Sequence, residues 1–418
     1  MNRYESYKES DIEWIENIPT SWKTKKLKFL GTVYGGLTGK KGDDFGDEDN
    51  PNSKPYIPYT NIFKNTRISI EHFDCVVIEK DEKQNLVKKN DLLILMSSEN
   101  YEDLGKSSIL IDDCEELYLN SFCKVFRITK ENINPRFINY QLLGDLHKKL
   151  ISLEGNGFTR INLRQDKLLN TPILIPSLKE QNKIVEFLDN KTHQIDRLIN
   201  KKERKTELLK EKLLFLVERV LVDKNIKREK IKHVVDLVKR PIKRNPTEKY
   251  NKVGMYNWGR GIFKYPDELG SELGDSTFNY IKERDLLLSG QFSWEGSVSI
   301  VQKQHNDCIS SHRFHILNGH TNTVLNEYLW SYFISQEGHW KLDSNSFGSG
   351  GRNRPLNIDK LLNEKIPIPN IDIQRKIRDC VIEFELDKKY KKRKTKLLEE
   401  FKQSLISEVV TGKKRVVG

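Results

Sequence analysis

The chain has 418 residues and a mass of 49.0 kDa, which is room for two domains because single hydrophobic cores rarely grow beyond about 250–300 residues. Lys and Arg outnumber Asp and Glu, 72 to 60, and the resulting charge of +12 favours a polyanionic partner. The mean hydropathy of −0.65 and the short apolar runs exclude a membrane-spanning protein. The start of the chain has no export signal and its five cysteines are scattered, so we expect a cytoplasmic protein with free thiols.

A long internal repeat determines the architecture. The letters Asp-Lys-Leu-Leu-Asn at residues 166–170 recur at residues 359–363, and the matches continue downstream in the same register. Gln181 and Gln374 are among the matched positions. The sequence therefore consists of two copies of one roughly half-length unit.

Each copy predicts the same elements in chain order. Short β-rich runs with turns come first, followed by a Gly-rich loop, an extended Ile-x-Ile-Pro segment and a long helix. Between Leu188 and Val220, and again between Ile377 and Val409, mostly apolar residues recur at alternating steps of three and four residues, the spacing of a coiled-coil seam. The second pattern stops just before Gly412, a residue that suits a helix C-terminus.

The two long helices are expected to pair with each other. A helix of ~40 residues is about 60 Å long at ~1.5 Å per residue, which is too long for the inside of one small domain. The fold class is therefore α+β, with two duplicated β-rich domains separated by two long helices that form an antiparallel coiled coil.

The start of the chain and the two junctions resemble a known family. Residues 13–22 read Glu-Trp-Ile-Glu-Asn-Ile-Pro-Thr-Ser-Trp, and this segment is similar to the opening arm of the specificity (S) subunits of type I restriction-modification systems. The Ile-x-Ile-Pro segments that lead to Gln181 and Gln374 resemble the family's junctions between recognition domain and helix. The second copy departs from the usual Glu-Gln pair, because Ile373 precedes its glutamine.

The resemblance implies a division of the chain into five parts. They are an N-terminal arm at 1–25, target recognition domain 1 at 26–175, a central helix at 176–225, target recognition domain 2 at 226–368 and a C-terminal helix at 369–418. The arm is expected to pack near the second helix and to close the molecule into a pseudo-two-fold ring.

The resemblance also implies a role without catalysis. Each recognition domain would read one half of a split, asymmetric site on double-stranded DNA. Two modification subunits would supply adenine-N6 methylation from S-adenosylmethionine, and restriction subunits would supply ATP- and Mg-dependent translocation and cleavage. No cofactor is expected in this chain itself.

Candidate DNA contacts lie in loops that combine glycine, aromatic residues, Arg and Asn. Arg can form paired hydrogen bonds with guanine and Asn with adenine, whereas Lys mainly contacts phosphate. The candidates are Lys40, Lys41, Tyr59, Asn61, Lys64, Asn156, Thr159, Arg160, Arg164, Tyr256, Asn257, Arg260, Arg352, Asn353 and Arg354.

Three segments bear a partial likeness to catalytic motifs. Residues 134–137, Asn-Pro-Arg-Phe, lack one letter of an adenine methyltransferase motif and are better interpreted as a helix start. Residues 35–40 miss the spacing of a phosphate loop and predict a flexible basic loop instead. Residues 203–205, Glu-Arg-Lys, end like a nuclease motif but fall in the middle of a predicted helix.

A cluster of histidines near Cys308 invites a metal interpretation. We expect a strand at residues 311–317, which would place His312 and His315 on opposite faces and prevent chelation of one ion. The sequence therefore favours no metal site.

Two other classes of protein remain open. A coiled-coil scaffold without a nucleic-acid partner would show no salt-dependent DNA affinity. A stand-alone methyltransferase or nuclease would bind S-adenosylmethionine or cleave DNA without partners.

Overall fold

The computed structural model describes residues 3–12, 15–348 and 354–416. Two compact units emerge from it. Unit 1 comprises Met1–Ile199 and Lys394–Gly418, and unit 2 comprises Asn200–Arg393. Each unit thus contains one β-rich copy of the repeat together with parts of both long helices.

Unit 1 begins with short strands and ends its β-rich part at the first long helix. Its strands are β1 (Tyr7–Glu9), β2 (Asn17–Pro19), β3 (Lys23–Lys26), β4 (Gly31–Gly35), β5 (Ser53–Ile57), β6 (Asp74–Val77), β7 (Leu92–Leu95), β8 (Ser97–Ser98), β9 (Ser107–Ile109), β10 (Tyr118–Leu119), β11 (Cys123–Ile128), β12 (Gly155–Asn156), β13 (Ile161–Leu163) and β14 (Pro172–Ile175). Its helices are α1 (Tyr59–Lys64), α2 (Pro135–Leu143), α3 (Asp145–Leu153), α4 (Gln165–Asn170) and the first part of α5 (Leu178–Val222).

A four-stranded antiparallel sheet in the order β4-β11-β7-β9 forms the centre of unit 1. All four residues of β7 are buried, because the sheet is covered on both faces. Leu92 and Ile94 join one hydrophobic cluster, and Leu93 and Leu95 join another. The alternation of side chains along a strand thus explains why β7 appears as an uninterrupted apolar run.

The N-terminal arm and the end of the chain both pack into the first cluster. Trp22 is fully buried, and its Nε1 donates a hydrogen bond to Glu180 Oε1 at 3.2 Å. The Tyr7 hydroxyl donates to the carbonyl oxygen of Gly412 at 3.2 Å. The expected packing of the arm near the second helix is therefore confirmed.

Unit 2 repeats this order of elements. Its strands are β15 (Arg228–Lys230), β16 (Val235–Val238), β17 (Lys249–Tyr250), β18 (Val253–Tyr256), β19 (Gly261–Lys264), β20 (Glu268–Leu269), β21 (Phe278–Tyr280), β22 (Leu286–Ser289), β23 (Val298–Ile300), β24 (Ile309–Ser311), β25 (Phe314–Gly319) and β26 (Lys365–Pro367). Its helices are the second part of α5, α6 (Asn326–Phe333), α7 (Gln336–Ser344), α8 (Ile358–Asn363) and the first part of α9 (Ile371–Val410), which continues in unit 1.

The central sheet of unit 2 is antiparallel and runs β16-β25-β22-β23. It has the same connectivity as the central sheet of unit 1. Leu286 and Leu288 join one cluster while Leu287 joins another, as along β7. The duplication found in the sequence is therefore a duplication of the fold, and the α+β class is confirmed.

The long helices contact each other in each unit, and in unit 2 the contacts show that they run antiparallel. In unit 2, Thr206 Oγ1 donates to Asp387 Oδ2 at 2.7 Å, and Lys212 Nζ lies 3.8 Å from Glu383 Oε2. Residue numbers rise along one helix as they fall along the other. In unit 1, Lys402 Nζ lies 2.7 Å from a carboxylate oxygen of Asp196.

The end of α9 agrees with the sequence pattern. The helix stops at Val410, and Gly412 follows in the left-handed region with φ of 75°. Among the described residues, no helix has the length and apolar content needed to span a bilayer.

Candidate nucleic-acid interface

A cleft of about 470 Å³ opens in the β-rich part of unit 1. It lies where α1, the segment after β7, the turn before β11 and the β12–β13 hairpin meet. Its lining combines aromatic, amide, hydroxyl and charged groups: Tyr59, Thr60, Phe63, Ser97, Ser98, Glu99, Asn100, Asp103, Asn120, Phe122 and Arg160. Such a mixture of rings and hydrogen-bonding groups suits the recognition of nucleic acid.

Two residues predicted from the sequence, Tyr59 and Arg160, meet in this cleft. The Tyr59 hydroxyl donates to the carbonyl oxygen of Ser97 at 3.2 Å, and burial raises the pKa of this phenol. The guanidinium of Arg160 lies 4.5 Å from the centroid of the Phe122 ring. The stacked ring positions the cation and leaves its N–H groups available to a ligand.

Arg160 lies on the β12–β13 hairpin, whose connecting loop is the predicted Gly-rich loop. Strand β12 pairs with β13, which also pairs with β8 beside the cleft. At the tip, Gly157 has φ of 139°, and an added Cβ would meet the carbonyl oxygen of Arg160 at 2.1 Å. Only glycine suits that position. Asn156 and Thr159 are exposed on the same hairpin.

The remaining candidates in the first half lie in different surroundings. Lys41 and Lys64 are exposed. Lys40 forms an ion pair with Glu82, and its side chain retains 8% of its exposure. Arg164 is exposed and pairs with Asp166 at 3.0 Å. The structure brings none of these four residues into the cleft lining.

The structure contradicts the prediction that Asn61 contacts DNA. Its side chain is 1% exposed, donates to the carbonyl oxygens of Ser69 and His72, and accepts from the amide of Ser69. The amide group is fully used in fastening the loop after α1. Asn61 therefore stabilises the fold and has no surface to offer to DNA.

Unit 2 contains a second cleft, of about 450 Å³. It lies between the β18–β19 hairpin, the segment after β22 and the turn before β25. Its lining is Lys252, Val253, Gly254, Met255, Phe263, Tyr265, Leu273, Ser276, Phe278, Ser289, Gln291, Phe292, Ile309, Ser311, Arg313 and Phe314. Arg313 Nη1 donates to Gln291 Oε1 at 3.3 Å.

The two clefts occupy equivalent places in the duplicated fold. Strand pairing joins Phe126 to Leu92 in unit 1 and Leu317 to Leu286 in unit 2. Phe122 lies four residues before Phe126, and Arg313 lies four residues before Leu317, so Phe122 corresponds to Arg313. The same count matches Asn120 with Ser311, Ser97 with Gln291 and Ser98 with Phe292. All of these residues line the two clefts.

Sequence reasoning missed most of this lining. Phe122 and Arg313 precede the matched strands β11 and β25, so the repeat register carried a signal for them. The candidates were chosen in loops that contain glycine and paired cations. Phe122 and Arg313 lie in short turns without glycine, so they were not among the candidates. Gln291 carried no such signal.

The candidates in the second half lie around the β18–β19 hairpin and α8. The guanidinium of exposed Arg260 lies 5.5 Å from the ring centroid of Tyr256, and Asn257 Nδ2 donates to Glu295. Arg354 pairs with Asp343 at 2.8 Å. None of these four candidates lines the second cleft. Arg352 and Asn353 lie outside the described residues.

The segment that contains the histidines differs from the prediction. A turn at His312 and Arg313 separates β24 from β25, so the expected single strand at 311–317 is wrong. Burial lowers the pKa of both His305 and His315. Within the described residues, no group of three or more His, Cys, Asp or Glu side chains could hold a metal ion.

The segments with partial likeness to catalytic motifs have structural roles. Asn134 Oδ1 accepts a hydrogen bond from the Arg136 amide at 2.9 Å and caps α2, which confirms the predicted helix start. Residues 203–205 lie inside α5 as predicted, and Lys205 pairs with Asp387 at 3.0 Å.

Comparison with known proteins gives the family. Residues 19–209 and 224–400 match the family described as the type I restriction modification DNA specificity domain. The two matched stretches cover most of the chain and correspond to the two copies of the repeat. The chain belongs to this family.

A curated relative carries the same designation. It is the StySPI specificity subunit of a type I restriction enzyme from Salmonella potsdam, 27% identical over 199 residues. The match covers 46% of this chain and 41% of the relative, so less than half of that protein's length is matched.

Two solved structures share the fold. One comes from a study of complex assembly and conformational transition in the type I R-M system, with a TM-score of 0.61 at 13% identity, and covers 95% of this chain and 99% of that chain. The other is the S subunit of a type I restriction-modification system from M. genitalium, with a TM-score of 0.50 at 12% identity, and covers 95% and 98%.

Proposed function

We propose that this chain is the DNA sequence-specificity subunit of a type I restriction-modification complex. Each β-rich domain reads one half of a split, asymmetric site on double-stranded DNA. The observation that carries the proposal is the pair of equivalent clefts, lined by different side chains on one duplicated scaffold. Two domains that recognise different DNA sequences require a binding cleft at the same position in the fold but with different contact residues.

The chemistry of the clefts supports DNA as the ligand. Arg160 in the first cleft and Arg313 in the second can each present N–H donors to a guanine, while Asn120 Nδ2 and Gln291 Nε2 can donate to an acceptor on a base edge. The formal charge of +12 adds the attraction to phosphate that precedes base recognition. Because the two linings differ, the two half-sites differ as well.

Linking the two readers in one chain makes recognition of the second half-site intramolecular. Modest affinities for each half then combine into a tight and specific interaction. This effect is the physical reason for duplicating the domain rather than enlarging it.

The proposal assigns the chemical steps to partner subunits in the cytoplasm. Two modification subunits bind this chain and methylate adenine at N6 with S-adenosylmethionine. Restriction subunits add ATP- and Mg-dependent translocation and cleavage. The capping role of Asn134 supports a non-catalytic chain, because the segment closest to a methyltransferase motif serves as a helix start.

Selection from random DNA tests the proposal. The chain is purified together with its modification subunit and used to enrich duplexes from a randomised pool over several rounds. The proposal predicts an enriched motif in two unlike parts separated by a spacer of fixed length. A complex that enriches no motif and shows no salt-dependent DNA affinity would support the scaffold alternative instead.

A further inference from the structure

The hairpin β18–β19 presents an exposed tryptophan at its tip. Trp258 is 66% exposed and has φ of 60°, a left-handed conformation that is rare for a large side chain. Such a conformation persists only where neighbouring contacts hold it, and it concentrates at functional positions.

Backbone hydrogen bonds hold the tip in place. The amide of Trp258 donates to the carbonyl oxygen of Glu295 at 2.9 Å, and the amide of Gly259 donates to that of Gly296 at 2.9 Å. Asn257 Nδ2 also donates to the Glu295 carboxylate. The tip is therefore fastened to the turn that follows β22, and the indole has a defined position.

One face of the indole is covered and the other is open. The ring stacks on the imidazole of His339, with centroids 5.3 Å apart and an interplanar angle of 14°. An exposure of 66% with one face covered leaves the opposite face and the ring edges to solvent. The exposed face is available to a flat aromatic ligand.

Three basic residues line the same hollow as the ring. Lys210, Arg260 and Lys388 line the same hollow of about 190 Å³ as Trp258. Lys388 Nζ donates to the carbonyl oxygen of Arg260 at 3.0 Å, which ties α9 to the hairpin. An aromatic platform among positive charges fits a nucleobase on a polyanionic backbone.

We propose that the open face of Trp258 stacks on a nucleobase in the half-site read by unit 2, at a base step that is partly unstacked in the complex. This contact rests on the proposed function. It contributes through base stacking and step flexibility rather than through hydrogen bonds, so it favours easily unstacked pyrimidine–purine steps.

The chain offers a matched control in Trp340. This residue is 61% exposed and lies in α7 of the same unit, outside the hollow lined by Trp258. W340A removes an exposed indole of similar exposure, and its DNA binding is expected to equal that of the unaltered chain.

The experiment compares W258A, W258L, W258F and W340A in the complex with the modification subunit, on the duplex motif obtained by selection. W258A and W258L are expected to lose roughly 5- to 100-fold in affinity, and W258F to retain most of it. The slope of log affinity against log salt concentration should stay unchanged in these Trp258 variants. R260Q removes a positive charge, so it should reduce the magnitude of this slope by about one if Arg260 contacts phosphate. 2-Aminopurine placed beside the base that stacks on the indole should brighten, because it loses its stacking neighbour, and this signal should vanish in W258L.

The outcomes separate this inference from the proposed function. If the unaltered complex binds a split motif while W258L binds as W340A does, the inference is overturned and the proposed function stands. If the unaltered complex binds no motif, both are overturned. W258L keeps apolar bulk at the tip, so a folding defect in W258A leaves the test intact.

Discussion

Gln181 and Gln374 make the same three hydrogen bonds in the two units. The side chain of Gln181 accepts from the amide of Asn134 at 2.8 Å and donates to the carbonyl oxygens of Asn132 and Pro176 at 3.2 and 3.0 Å. The glutamine is fully buried. It fastens the start of the long helix to the loop that leads into α2.

Gln374 repeats the arrangement in unit 2. It accepts from the amide of Leu325 at 2.8 Å and donates to the carbonyl oxygens of Thr323 and Pro369 at 2.9 and 2.8 Å. The three backbone groups would be buried without partners if the amide were removed. This explains physically why a glutamine stands at this position in both copies.

Replacing either glutamine by leucine should destabilise its own unit. Gln181→Leu and Gln374→Leu each leave one amide and two carbonyl groups without their partner, at a cost of roughly 2–4 kcal/mol. Chemical denaturation followed by circular dichroism measures the loss. The exposed Gln194 on α5 provides the control, since Gln194→Leu should change the unfolding free energy by less than about 0.5 kcal/mol. Equal effects at Gln181 and Gln194 would contradict this role.

Arg160 should contribute to DNA recognition at one half-site only. Arg160→Gln removes the guanidinium that stacks on Phe122 and should weaken binding of the selected motif by roughly 5- to 100-fold. The first half-site should become less selective while the second is unchanged. Arg375→Gln, at an exposed site near the start of α9, is the matched control. A uniform loss over both half-sites would show that Arg160 only attracts phosphate.

His147 should make stability depend on pH. Burial lowers its pKa from 6.5 to about 4, and its Nε2 donates to the carbonyl oxygen of Pro172 at 2.8 Å. The unfolded chain takes up a proton at higher pH than the folded chain does, so stability falls as the pH decreases from 6.5 towards 4.

The measurement is the unfolding free energy at pH 7 and pH 5. The loss between these two values should be about 2 kcal/mol smaller in His147→Gln than in the unaltered chain. Glutamine keeps an N–H donor but cannot be charged. His193→Gln, at an exposed position of α5, should leave the loss unchanged. An identical pH dependence in all three proteins would contradict a buried neutral His147.

The antiparallel pairing of α5 and α9 can be trapped by a disulfide. Thr206→Cys with Asp387→Cys places two thiols at positions now joined by a hydrogen bond of 2.7 Å. In a background with Cys380→Ser, this pair should oxidise readily. Thr206→Cys with Asp379→Cys should not, because eight residues correspond to about 12 Å along a helix. Mass spectrometry of tryptic peptides under non-reducing conditions distinguishes the two results.

Periodicity and the repeat predicted the long elements well. The seams around Leu188 and Ile377 lie in α5 and α9, and Gly412 stands just beyond the end of the second helix. These features depend on local spacing over many residues. The strands β7 and β22 contain uninterrupted apolar runs in the sequence. Such runs are expected in a sheet that is covered on both faces.

The sites were harder to predict because they depend on contacts between distant segments. Asn61 has a typical DNA-contacting side chain, yet its amide is used by the backbone of Ser69 and His72. Arg160 and Tyr59 lie about a hundred residues apart and meet only through the β8–β13 pairing. No local pattern separates an amide that holds a loop from one that faces a ligand.

Mapping of N6-methyladenine is the most direct test of whether the two clefts read two halves of one DNA site. The chain and its modification subunit are expressed in a host without methylation, and modified adenines are located by single-molecule sequencing. We expect one split motif, methylated once on each strand, with Arg160→Gln relaxing one half and Arg313→Gln the other. No methylation beyond that of the modification subunit alone, or a continuous motif that both substitutions alter alike, would contradict it.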